Sequence, residues 1–260
     1  MDLFQFLQKK PYELAVIRVS DLHIDPKYNR EIKIARASEL SEKFDEKQLD
    51  LLKVSNRDGK GIFYVFDGQH RLYALKKNKI ADVLCMVYQM SYEEEANAFA
   101  TQKDLSGGVT SKQKAKAFIE AKNPVWTDID KILAYHGLYL AIGKNMHQER
   151  NSIVSCTAAL EKIYKNSGPS MLHKVARLIS KTWPNNKSAL KVEIWDAIYY
   201  FCSNFSKEFK EEFFIKKLAS VSPLQIIGSA RANIKKASLA VKISEILVSH
   251  YDMRRRNKLQ

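Results

Sequence analysis

Apolar and polar positions change rhythm partway along the chain. In the first hundred residues short apolar runs alternate with helix-spaced patterns. "LAVIRVSDLHID" (14–25) opens as an apolar, β-branched run and predicts a strand that ends at the Asp25–Pro26 turn. "EIKIARASELSEKF" (31–44) sets Ile32, Ile34, Ala35, Leu40 and Phe44 near helical spacing. "LDLLKVSNRDGKGIFYVFDG" (49–68) predicts two strands around "NRDGKG", whose Asn, Asp and Gly suit the positive-φ positions of a hairpin. "HRLYALKKNKI" (70–80) reads as a short helix ending in lysines. "DVLCMVYQM" (82–90) reads as a buried strand, and "SYEEEANAFATQK" (91–103) opens a helix with Ser91 and Glu94 at capping-box spacing.

Beyond the Gly107–Gly108 break, Thr110 or Ser111 caps a helix to about residue 122. After Pro124 the pattern is helical almost throughout, in segments near 125–136, 151–166, 170–183, 188–204, 207–220, 222–234 and 238–252. "SGPS", "PNNKS" and "SPLQ" supply the breaks. The pattern predicts an α+β chain: a small mixed α/β domain over residues 1–106 and a basic, all-helical domain over 107–260. The aromatic residues of "EIWDAIYYFCSNF" (193–205) fall at core-like spacing, and "SGPSMLHKVARLISKTW" (167–183) could be the second helix of a helix-turn-helix.

Charge sharpens this division. Residues 1–106 hold 17 basic and 17 acidic side chains, whereas residues 107–260 hold 26 basic and 12 acidic ones. The whole excess of +14 therefore lies in the second part, which points to a polyanionic partner, with DNA the commonest. Lys112, Lys114 and the tail cluster Arg254, Arg255 and Arg256 are the candidate phosphate-backbone contacts. No apolar run reaches the ~18 residues of a membrane span, and the N-terminus has no signal-peptide pattern, so no membrane partner and a cytoplasmic location are expected. Cys85, Cys156 and Cys202 lack any CxxC spacing and are expected as free, buried thiols; no metal-ligand set is assigned.

The chemistry concentrates in "YVFDGQHRLYAL" (64–75). A strand delivers the chain to Asp67, Gly68 permits a sharp turn and close ligand approach, and a helix begins at Gln69 or His70. A helix N-terminus offers backbone N–H groups and partial positive charge to an anion. Arg71 adds a planar fork of donors, His70 can donate, accept or shuttle a proton, and Gln69 can donate and accept. Asp67 could cap the helix, orient Arg71, or hold a metal beside phosphates. By themselves these residues describe an anion site. "QKDLSGGVTSKQK" (102–114), with Lys103, Thr110 and Ser111, offers a second phosphate-facing helix start, or an ordinary capped hinge.

The order strand, DGQHR, helix, strand resembles the ParB/sulfiredoxin-like superfamily, particularly DGQHR-type and ParB-like proteins of phages and mobile elements. The resemblance covers residues 14–120: "VSDLHIDPKYNRE" with Arg30, then the signature, then "VLCMVYQMSYEEEANAFATQKDLSGGVTSKQKAKAF". It implies that residues 67–71 form a nucleoside-triphosphate cradle for CTP or ATP with Mg2+, with Arg30, Gly68, Gln69, His70, Arg71, Lys103, Thr110 and Ser111 around the phosphates. ParB proteins carry a Gly-Glu-Arg-Arg form at the cradle; this chain matches it at Gly68 and Arg71. Where their second motif has an acid and an amide ahead of an arginine, this chain has Phe99 and Ala100 ahead of Lys103. Sulfiredoxin chemistry needs a reactive cysteine at the phosphate site, and Cys85 falls in an apolar strand.

Three functions stay open on the sequence. The first is a DNA-binding protein with a nucleotide pocket, in DNA maintenance, regulation or counter-defence of a phage or mobile element; the resemblance adds a homodimer. The second is a nuclease or nucleotide hydrolase with Asp67, His70 and Arg71 as catalytic groups. The third is an interaction module that inhibits a host protein.

Overall fold

Strand β1 (Glu13–Arg18) and strand β2 (Leu22–His23) replace the single strand expected over 14–25, because a 3-10 turn at Val19–Asp21 separates them. Their partners explain the break. β1 pairs antiparallel with β5 (Asp82–Met90) at one edge of a five-stranded sheet, and β2 pairs parallel with β4 (Phe63–Asp67) at the other. The chain must leave one edge to reach the opposite one. The structure is a computed structural model that describes residues 11–45, 49–102, 109–145, 147–205, 209–253 and 259.

β3 (Leu52–Arg57) and β4 form the expected hairpin, with Asp58, Gly59 and Gly61 at positive φ in its turn. The strand order is β1-β5-β3-β4-β2. Helix α1 (Ile34–Glu42) packs on helix α2 (Gln69–Lys77), which gives Leu72 and Leu75 to a core with Leu52, Val54, Val65, Val83, Cys85 and Val87. A second core, around Tyr28, Phe66, Ala96, Phe99, Ala100 and Ala117, involves α3 (Tyr92–Thr101) and α4 (Ser111–Glu120). Val65 and Phe66 enter different cores because successive strand residues point to opposite faces. β5 is buried on one face rather than both: Val83, Cys85 and Val87 point inward, while Leu84 is exposed. The face of α1 also differs from expectation. Ala37 and Ser41 are buried, while Ile34 and Leu40 are exposed.

The chain divides into two compact units, residues 1–123 and 124–260. The expected boundary at 106/107 falls earlier. Helix α4 joins the first unit, where Val109 and Ala117 pack in the second core and Tyr92 donates to Glu120 (2.6 Å). The expected hinge at Gly107–Gly108 lies outside the described residues.

Among its described residues the second unit has, besides helices and loops, one two-residue parallel bridge, β6 (Tyr139–Leu140) with β7 (Ile153–Val154). Its helices are α5 (Pro124–Tyr135), α6 (Thr157–Thr182), α7 (Val192–Phe205), α8 (Glu211–Leu218), α9 (Pro223–Ala232) and α10 (Leu239–Asp252). The "SGPS" break is real: α6 is two helices meeting at Gly168 (φ 76°, ψ 177°), followed by Pro169. Trp195, Phe201, Phe214 and Tyr251 are fully buried, and Phe201 packs against Phe209 and Phe214 with ring centroids 5.0 Å apart in each case. Of the aromatic residues of α7, Trp195 and Phe201 are core, Tyr199 and Phe205 are half-buried, and Tyr200 is exposed. No described helix is long and apolar enough to cross a membrane.

Candidate functional site

Gly68 is the pivot of the site. It ends β4 and stands at the N-cap of α2 with φ 109° and ψ 20°, a left-handed conformation. A Cβ there would collide with the Leu52 side chain and approach the Arg71 guanidinium to 3.2 Å. Glycine is therefore required twice, for backbone angle and for space. Having no side chain, it leaves the first turn of α2 without a side-chain cap.

Asp67 does not cap that helix. Its carboxylate pairs with Arg71 (3.2 Å) and Lys53 (3.3 Å). Arg71 also donates to the Leu51 carbonyl (2.9 Å), and its guanidinium lies 3.9 Å from Asp50. Asp67 thus holds the Arg71 guanidinium, one of the three roles the sequence leaves open to it. Gln69 donates to the Arg30 carbonyl (2.9 Å). Its Oε1 is buried and accepts no hydrogen bond among the described residues. A buried acceptor of that kind calls for a donor from a ligand or water.

These residues open onto a cavity of about 420 Å³, within the range of small-molecule sites. Arg30, Asp67, Gly68, Gln69, His70 and Arg71 all line it. Lys103 lies outside the described residues, as do Arg254, Arg255 and Arg256. Thr110 and Ser111 are not among the lining residues. The Thr110 hydroxyl instead accepts from the Gln113 N–H (3.3 Å), and Gln113 returns a bond to the Thr110 N–H (2.9 Å), a closed capping box. Lys112 is exposed and Lys114 half-buried on α4.

Sequence reasoning missed several lining residues. Arg36, Glu39, Leu40 and Lys43 follow i, i+3, i+4, i+7 spacing and bring one face of α1 and its C-cap to the cavity. Asn29, Phe99 and Gln102 complete another side, with Gln102 donating to the Phe66 carbonyl. Phe99 and Ala100, at the place of the acid and amide of the ParB pattern, are buried in an apolar core. Four cations (Arg30, Arg36, Lys43, Arg71) face three acids (Glu39, Asp50, Asp67). Glu39 pairs with Lys43 (2.9 Å) and Asp67 with Arg71, so internal pairing uses much of the acidic charge.

A second network, also missed, fastens the loop that carries Arg30. Arg57 donates to both Glu95 oxygens (2.7 and 3.3 Å) and to Asp25 (2.9 Å). Tyr28 donates to Glu95, which is wholly buried. The Arg57 guanidinium lies 3.6 Å from the Tyr64 ring centroid and 5.0 Å from that of Tyr92. Burial opposes the charge of Arg57, but the bonds to Glu95 and Asp25 outweigh it and raise its pKa. Burial, then Glu95, pushes the Tyr28 phenol far above its ordinary value. Lys116 ties the same loop to α4 by donating to the Pro26 carbonyl (2.6 Å), and burial lowers its pKa. The segment from Asp25 to Arg30 has no regular secondary structure, so these bonds give it its position.

The thiols are remote from this chemistry. Burial pushes Cys85 up to about 11 and Cys156 and Cys202 up to about 12, and none of the three lines the cavity. Among the described residues no group of three or more His, Cys, Asp and Glu side chains forms a metal-binding cluster.

Among solved structures, the chain is similar to the N-domain of a pNOB8-like ParB, at 15% identity over 93% of this chain and 95% of that one, with a TM-score of 0.40. It is also similar to C-terminally truncated ParB of Caulobacter crescentus in two complexes. With CTP-γ-S the identity is 11% over 63% of this chain and 98% of that one, TM-score 0.33. With the centromeric parS site it is 11% over 90% and 98%, TM-score 0.35. No curated protein matches the sequence. A family model described as "Family of unknown function (DUF6551)" matches residues 25–259, nearly the whole chain, and the protein belongs to that family.

Proposed function

We propose that the protein is a ParB-like nucleic-acid-binding protein whose first unit holds a nucleotide, or another phosphate-bearing ligand, at residues 67–71. One observation carries the reading: an uncapped helix N-terminus, three cations from α1 and the Asn29–Arg30 loop, and a buried acceptor on Gln69 all meet at one 420 Å³ cavity. The backbone N–H groups at the start of α2 and Arg30, Arg36 and Lys43 suit phosphate oxygens. Gln69 Oε1 suits a ligand donor such as a base amino group or a ribose hydroxyl.

The same geometry favours binding over hydrolysis. Asp67 is committed to Lys53 and Arg71, so a proton-accepting or metal-holding role would break those pairs. Phe99 and Ala100 offer no acid or amide to a Mg2+-triphosphate. Asp67 and Arg71 thus act as positioning residues, and His70 helps to hold the ligand. The second unit carries 22 basic and 11 acidic side chains, and that excess suits a DNA partner. Such a pairing of pocket and basic unit fits DNA maintenance, regulation or counter-defence in a phage or mobile element.

Isothermal titration calorimetry with CTP, ATP and GTP, with and without Mg2+, tests the pocket. One nucleotide is expected to bind, and Arg30→Ala to weaken it by about 10- to 100-fold, the worth of one charge-assisted hydrogen bond. Absence of heat with all three, for a protein that melts cooperatively, contradicts the reading.

A further inference from the structure

The region around "MLHKVARLISK" in α6 belongs to no part of the first unit's pocket, yet it gathers unusual chemistry. Tyr135, the last residue of α5, is 80% exposed. A large ring that open is normally mobile, but this one is held. His136 stands edge-on to it (centroids 5.1 Å, 89° between planes), as does His173 of α6 (5.7 Å, 82°). The two imidazoles meet each other, with ring nitrogens 3.2 Å apart.

Cations flank this aromatic group. Lys131 precedes Tyr135 by one turn on α5 and is exposed. Arg177 and Lys181 follow His173 at i+4 and i+8, so all three form one stripe of α6. Burial, then the neighbouring His173, Arg177 and Lys181, hold His136 below the usual imidazole range. Arg177 is partly matched by Glu211 (2.7 Å), while Lys131 and Lys181 are exposed. Beside the stripe lies a cleft of about 230 Å³ lined by His136, Ser152, Ser180 and Asn185, among others.

We infer that this face of the second unit is a single-stranded nucleic-acid contact, in which a base stacks on Tyr135 and phosphates engage Lys131, Arg177 and Lys181. An aromatic platform set between cations is what an unpaired strand requires, since every base has a stacking face and the backbone follows the positive charge. An acidic protein surface would use the cations but gain nothing from an exposed ring clamped by two histidines. A duplex would hide its base faces from Tyr135. The inference rests on reading the second unit as nucleic-acid-binding, and is independent of the pocket in the first.

Fluorescence anisotropy of the full chain with a labelled 20-nucleotide oligo(dT) tests it. Tyr135→Ala, a change at an exposed position, is expected to weaken binding about 5- to 100-fold, and Tyr135→Phe to keep most of the affinity because the ring remains. Lys181→Ala is expected to reduce the slope of log affinity against log salt by about 0.7. A matched duplex is expected to show no dependence on Tyr135. The inference is overturned if Tyr135→Ala leaves oligo(dT) affinity unchanged, or if polyglutamate of equal charge competes as well as unlabelled oligo(dT). Calorimetry on Tyr135→Ala separates the two readings. Retained nucleotide binding with lost oligo(dT) binding supports both sites, while Tyr135-dependent oligo(dT) binding without any nucleotide binding leaves this inference standing and removes the pocket.

Discussion

Replacing Arg57 with methionine isolates the interaction that positions the Arg30 loop. Methionine keeps an unbranched apolar stem and removes the charge. Three hydrogen bonds are lost, two to Glu95 and one to Asp25, while Glu95 stays wholly buried with Tyr28 as its remaining donor. Breaking a buried pair from one side costs about 3–5 kcal/mol, because the surviving charge has no cation or water to compensate it. At roughly 2–4 °C per kcal/mol for a protein of this size, the melting temperature should fall by about 6–20 °C. The variant has a further signature. An isolated buried carboxylate raises its pKa and takes a proton more readily. The deficit measured by scanning calorimetry should therefore be smaller at pH 5 than at pH 8. Adding Glu95→Gln to Arg57→Met should recover part of the loss at pH 8, since the uncompensated charge is gone. A drop of less than about 2 °C, or one that is equal at both pH values, would refute the claim that this pair fixes the loop.

Other outcomes follow from the same geometry. Gly68→Ala should destabilise the first unit by at least about 1–2 kcal/mol, seen in urea unfolding, since a left-handed backbone and a collision with Leu52 are both imposed. Tyr28 keeps its proton in the folded protein, so its contribution is intact below the unfolded pKa of about 10 and is lost as pH rises beyond it. Tyr28→Phe should make the alkaline loss of stability shallower by about 1.4 kcal/mol per pH unit. His136 has its pKa lowered by burial and nearby cations, so its contribution is present above about pH 6.5 and is lost as pH falls below it. His136→Asn should therefore flatten the loss of thermal stability between pH 7 and pH 5.

Local patterns revealed local structure. The hairpin turn, the Ser91–Glu94 capping box, the N-cap at Thr110 or Ser111, the "SGPS" break and the strand–Gly68–helix junction were legible because each depends on residues a few positions apart. The cavity's far wall was not. Arg36, Glu39 and Lys43 look like an ordinary solvated helix face, and only tertiary packing turns that face toward α2. Glu95 sits in a run of three glutamates that reads as a helix-dipole complement, yet Arg57, 38 positions earlier, draws it into the core. Thr110 shows the local signal again: its hydroxyl accepts from the Gln113 N–H in a helix cap, while its absence from the cavity lining follows from tertiary packing. The break between β1 and β2 depends on which sheet edge each joins, which no local period encodes.

The central claim is that a phosphate-bearing ligand seats on the start of α2. Amide hydrogen exchange of the full chain, with and without saturating CTP, ATP or GTP and Mg2+, tests this at the residues concerned. The account predicts that one nucleotide slows exchange in peptides covering 67–72 and 28–31, with peptides from α10 unchanged. Binding that protects other segments and leaves 67–72 at its free rate would contradict it.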